Sequence, residues 1–166
     1  MPATIRSRLS LVIAFAAVFA LGALLPGALA GPSEPTAVRS ALAQTDKVQG
    51  APGRTMVLSR VAVEPGAELA LHHHLGTQIS RIASGTLTYT VRKGAAVVSE
   101  GDAEKDPWRV RTIAAGQTAR IQPGQWLVEQ PSDIHEAANR GSKPVVIYLS
   151  TLLKSGSPPS TPVTLP

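Results

Sequence analysis

Hydrophobic positions divide the chain into two regimes. Residues 9–25 form an almost unbroken apolar stretch, whereas from residue 55 onward apolar residues recur in short bursts rich in Val, Ile, Leu and Thr. Turn signals separate the bursts at close intervals, and no helical periodicity runs beyond three turns, so the second regime predicts an all-β domain. The predicted strands are residues 56–63, 69–74, 78–82, 86–91, 109–113, 118–121, 125–129, 135–139 and 145–152. Residues 86–91 alternate polar and apolar with period two, the pattern of a strand with one buried face. Residues 145–152 are apolar at almost every position, which predicts burial on both faces. Residues 93–107 carry six charges without alternation and read as a solvated loop or a protruding hairpin. So many short strands in about 100 residues point to a sandwich or a barrel.

The flanks differ from this core. Residues 31–54 read as a lead-in arm with one weakly helical stretch at 36–44, ended by Gly50-Ala51-Pro52-Gly53. Residues 155–166 hold four prolines in twelve positions, which excludes a helix or a central strand and suggests a loose tail. The organisation expected is therefore a leader at 1–30, an arm at 31–54, a single barrel domain at 55–152 and a Pro-rich tail at 153–166.

The leader is a secretory signal peptide by its layout. Arg6 and Arg8 precede the apolar stretch, Pro26 and Gly27 break it, and Ala28-Leu29-Ala30 offers the small residues read by a signal peptidase before Gly31. At seventeen residues the stretch is at the short end for a bilayer span. Arg6-Ser7-Arg8 is not a twin arginine. The expectation is a secreted or periplasmic protein with no membrane attachment after cleavage.

Composition changes the picture in two places. With no cysteine, the chain excludes a disulfide-stapled scaffold, a zinc finger or a thiolate redox centre, and any metal must be held by nitrogen and oxygen. The formal charge of +5 falls to about +3 once residues 1–30, with two arginines and no acids, are removed. No cationic run with interleaved aromatics appears, so nucleic-acid binding has no support. Both phenylalanines, Phe15 and Phe19, lie in the leader. Branched aliphatics must fill the core, and Trp108 and Trp126 read as packing residues.

The chemical signal lies in four histidines: the consecutive His72, His73 and His74, and the distant His135. On a strand, His72 and His74 point to one face and His73 to the other, so the outer pair can converge on one ion. Gln78 lies four residues beyond His74, past Gly76, where a turn could return its side chain to the same point. Glu68, Glu129 and Glu136 are the nearest acids, but alternation can place them outward, and Arg81 reads as a surface charge. Ser132, Asp133 and His135 are too close in sequence to converge as a triad.

Two spaced motifs carry a family resemblance. Gly66, five residues, His72, one residue, His74, three residues, Gln78, six residues and Gly85 resemble the first cupin motif, with Gln78 where glutamate is usual. Gly124, five residues, Gln130, then Ser132, His135 and Asn139 resemble the second, with Gln130 and Ser132 where proline and glycine are usual. The resemblance covers residues 55–152 and implies a double-stranded β-helix, the jelly-roll barrel of cupins. It implies His72, His74 and His135 as metal ligands, Gln78 as a weak or absent fourth, and Asn139 as a structural strand end. Without an anionic ligand the implied ion is a divalent transition metal, Zn, Fe, Cu or Ni, rather than manganese or magnesium.

The implied function is an exported small cupin that binds a divalent metal, either a metal-dependent dioxygenase or oxidoreductase on a small organic substrate or a non-catalytic binding module. The partners implied are a small-molecule ligand or substrate and, by resemblance alone, a second copy of the chain in a homodimer.

Overall fold

The structure, a computed structural model, describes residues 34–164; the leader expected at 1–30 lies outside them. Every regular element described is a strand. In chain order these are β1 (Ala37–Thr45), β2 (Arg54–Val63), β3 (Glu68–His73), β4 (Gly76–Ser84), β5 (Leu87–Lys93) and β6 (Ala95–Asp102). They continue with β7 (Asp106–Ala114), β8 (Thr118–Ile121), β9 (Trp126–Glu129), β10 (Ile134–Ala138), β11 (Val145–Lys154) and β12 (Thr161–Pro162). A seven-stranded sheet runs β1-β2-β11-β4-β9-β6-β7 and a five-stranded sheet runs β12-β3-β10-β5-β8, with every pairing antiparallel.

Alternation drives the core. Along β4 the buried residues are Gly76, Gln78, Ser80 and Ile82, while Thr77, Ile79, Arg81 and Ala83 are exposed. In β5 the inward side chains are Leu87, Tyr89 and Val91, as the period-two pattern predicts. Val63, Ile82, Val91, Val98, Ile121 and Val145 are fully enclosed between the sheets. Each such aliphatic contributes about 1.5–3 kcal/mol through burial. At the end of the first motif, Gly85 turns with φ of 73°, and a Cβ there would come within 2.9 Å of the Val145 backbone. Asn139 is enclosed at the end of β10, where its amide nitrogen donates to the carbonyls of Val63 and Lys143 and its oxygen accepts from the Gly141 N–H.

Three expectations are corrected. The stretch expected to be weakly helical inside an arm is strand β1, paired along its length with β2 and interrupted by a bulge between Ala41 and Ala43. Its helix-favouring Ala, Leu and Gln are overridden by pairing. Strand β11 is buried on one face only: Val145, Ile147, Leu149, Thr151 and Leu153 point inward, and Tyr148 on the other face is 43% exposed. The tail is not loose throughout, since β12 pairs with β3 at His73 and His72. A two-residue edge strand tolerates Pro162, whose missing donor a central strand could not spare. The charged segment forms a hairpin of β6 and β7, with Trp108 exposed on it.

Candidate metal centre

Pairing of β3 with β10 sets His135 directly opposite His72. His74 follows β3 by one residue and points to the same interior, while His73 turns outward and its Nδ1 lies 3.4 Å from the Pro131 carbonyl. The ring centroids of His72 and His135 are 4.4 Å apart, those of His72 and His74 5.0 Å, and those of His74 and His135 5.2 Å. One nitrogen of each ring lies within 4.8 Å of the others, so the three could hold a metal ion. Metal–nitrogen bonds of about 2.0–2.1 Å would draw these nitrogens closer together than that limit.

Backbone carbonyls orient two of the rings. His72 Nδ1 donates to the Ala70 carbonyl at 2.6 Å, and His74 Nδ1 donates to the Pro159 carbonyl at 2.7 Å. A proton on each Nδ1 leaves Nε2 as the lone-pair nitrogen that would face a cation, the arrangement ligating histidines usually show; on His74 that nitrogen accepts from the Gln78 amide. The third ring, His135, stacks on Tyr89 with centroids 5.1 Å apart. Burial, reinforced by the neighbouring His72 and His74, pushes the His135 imidazole down to about 2, and burial also lowers His72. Both rings are therefore neutral near pH 7, as coordination requires.

The opposite wall brings oxygen. Gln78 is buried, but its amide oxygen accepts from Thr151 Oγ1 at 2.8 Å, and its nitrogen, a donor, faces His74 Nε2 at 3.2 Å, Ser80 Oγ and Glu129 Oε2. Glu129, opposite Gln78 in the β4–β9 register, is 3% exposed. Its Oε1 lies 3.4 Å from His135 Nε2 and its Oε2 lies 3.6 Å from His74 Nε2. The site thus contains a carboxylate despite glutamine at position 78. The other two candidate acids point away: Glu68 pairs with Arg140 and Glu136 with Arg92 at the surface. Alternation places Glu129 on the same face as the core residue Leu127, but the opposite face carries Trp126 and Val128, which are also apolar, so the local pattern does not choose between the two faces.

These side chains line a cavity of about 240 Å³ whose remaining walls are largely apolar, including Val61, Leu69, Leu87, Leu127, Ile147 and Leu149. Burial, and then the charge of Glu129, raise the Tyr89 phenol far above its ordinary value, so it stays protonated as a potential donor. Its hydroxyl has no hydrogen-bond partner among the described residues. Three side chains that the sequence reading missed border the opening. Arg39 of β1 lines the cavity on one side, and Ser160 and Pro162 line it on the other.

No protein-family model matches the chain, and no curated protein matches its sequence. Solved structures do match its fold. A cupin 2 domain-containing protein from Halorhodospira halophila superposes with a TM-score of 0.51 at 16% identity, covering 82% of this chain and 77% of that one. The DMSP lyase DddQ from Ruegeria pomeroyi superposes with a TM-score of 0.51 at 13% identity, covering 76% of this chain. The chain spans 51% of that lyase's length. The class defined by the two sheets and the comparisons is the cupin fold, a double-stranded β-helix. Within it, the resemblance stated from the two sequence motifs holds at the level of the fold.

Proposed function

We propose that this chain is an exported, metal-dependent cupin enzyme acting on a small organic substrate, with His72, His74 and His135 holding a divalent transition metal. The observation that carries this reading is the convergence of three imidazole nitrogens, from two strands distant in sequence, within 4.8 Å. Glu129, rather than Gln78, is the better fourth donor: it is anionic, whereas the Gln78 oxygen is engaged by Thr151. Three imidazoles and one carboxylate suit Zn, Fe, Cu or Ni, and the carboxylate also admits manganese. When bound, such an ion polarises a substrate oxygen or lowers the pKa of a bound water.

The chain's own groups supply the rest. The largely apolar walls lower the polarity around the site and so strengthen the electrostatic contacts inside it. Glu129 is a carboxylate able to accept a proton, and the protonated Tyr89 hydroxyl can donate a hydrogen bond to a developing oxyanion. This pair favours an enzyme over a passive binding module, because a binder needs neither a proton acceptor nor a hydroxyl donor at the histidines. A DMSP lyase shares the fold, which makes elimination chemistry a candidate beside oxygenation.

The test is elemental analysis of untagged native protein, followed by oxygen uptake and product analysis with a panel of phenols, thiols and small organic acids. About one transition metal per chain with turnover of any panel member supports the reading. A fully folded protein that takes up no metal refutes it, and metal without turnover leaves the binding module. Export is tested by expression in a bacterial host, where the mature N-terminus should be Gly31. For partners, the outer face of the seven-stranded sheet exposes Leu58, Ile79, Met56 and Tyr148, with Leu58 and Ile79 in register on either side of Ser150. An apolar strip of this kind supports a homodimer, to be read by sedimentation.

A further inference from the structure

The strand β1 was not expected from the sequence, and it carries a cation with no partner. Arg39 is half-buried on the inner side of the sheet edge, and its Nη2 is enclosed with no hydrogen-bond partner among the described residues. None of the carboxylates described lies within salt-bridge distance of it; the nearest charge acting on it is that of Glu129 inside the cavity. A guanidinium cannot lose its proton in a protein, so burial leaves an uncompensated charge. Such an arrangement is costly unless something supplies the missing anion.

A second orphan donor stands beside it. Arg39 is paired with Val61, and Ser59 is two residues from Val61 on the same inward face. That diagonal is about 7–8 Å between backbones, within reach of a long side chain. Ser59 is fully buried, and its Oγ also lacks a partner among the described residues. Arg39 lines both the cavity of the histidines and an adjoining cavity of about 760 Å³, which Ser59, Thr55 and Ser155 also line. Asp46 borders the outer cavity as well, away from the histidines.

We propose that Arg39, assisted by Ser59, binds the carboxylate of a small organic acid whose other end lies over the histidines. It rests on the reading of the histidine cavity as a substrate site, and adds that the substrate is an anion. Arginine presents two parallel donors to a carboxylate, which fixes orientation as well as position. The inner cavity, with the volume of about eight water molecules at roughly 30 Å³ each, limits the part of the substrate that reaches the histidines to a compact group. Its aliphatic walls favour an apolar body between the acid and the reacting end.

Calorimetric titration of the full mature protein with benzoate, phenylacetate and phenylpyruvate, each against its neutral amide, tests this. The acids should bind at least tenfold tighter than the amides. Arg39→Gln should erase that preference while leaving metal content per chain unchanged and the thermal midpoint no lower, since the substitution removes an unpaired buried charge. Arg39→Lys, which keeps a charge but not the fork, should retain part of it. Equal binding of acid and amide, no binding of any acid, or a preference that survives Arg39→Gln overturns the proposal. A preference abolished by chelation but not by Arg39→Gln places the carboxylate at the histidines and overturns it too. A protein free of metal that still shows the Arg39-dependent preference would sink the metal reading and leave this one standing.

Discussion

The two sheets contribute different chemistry to one cavity. Strands β3 and β10 of the five-stranded sheet, with the residue that follows β3, supply three imidazoles, two of them oriented by backbone carbonyls. Strands β4 and β9 of the seven-stranded sheet supply Gln78 and Glu129, oriented by side chains alone, Thr151 and Ser80 among them. A ring held by main-chain acceptors changes little when neighbouring side chains change. A carboxylate held by side chains can be retuned by single substitutions. The nitrogen wall is therefore expected to decide whether a metal binds, and the oxygen wall which metal and how tightly.

Four experiments sharpen or break this contrast. His135→Ala should produce the largest effect, loss of metal uptake beyond about 100-fold, with the β-sheet circular dichroism retained. Retention of metal in that variant would detach His135 from the site. Next, Glu129→Gln should weaken metal affinity by about 10–100-fold, and Gln78→Ala by clearly less, measured by competition with a colorimetric chelator. The reverse order would return the fourth position to Gln78.

Smaller again is the effect of the strap between β11 and β12. Removing residues 158–164 deletes the carbonyl that fixes the His74 ring, and the loss in metal affinity should be about tenfold, less than for any ligand. The smallest is a pH effect on chelator-treated protein. The folded His135 is depressed to about 2, against an ordinary 6.5 in the unfolded chain. Stability is then fully present above about pH 6.5 and lost as the pH falls below it, because the unfolded chain takes up the proton first. The slope is at most about 1.4 kcal/mol per pH unit for one proton. Urea midpoints between pH 7 and 5 should fall less steeply for His135→Asn than for wild type, and equal slopes would show that the ring is not held neutral.

How much of this was legible in the sequence depends on the range of the interaction. The same-face pair His72 and His74 follows from a period of two, and the turn at Gly85 from a residue that tolerates positive φ. The inward direction of Glu129 needed the β4–β9 register, which no local pattern carries. Strand β1 was hidden for a different reason. Ala41, Leu42, Ala43 and Gln44 favour a helix in isolation, and only pairing with β2 makes them a strand. Arg39 was lost with it. Strand β12 is two residues long and includes a proline, so it exists only because β3 offers an unpaired edge.

The rim of the cavity is built from the outermost strands of the two sheets, β1 on one side and β12 on the other. Each has a neighbour along one border only, so replacements there disturb few packed side chains. Selectivity for one small molecule over another can consequently drift across generations by edits at positions 37–39 and 160–162, while the imidazoles behind them stay untouched. The fold separates what must be kept from what is free to vary.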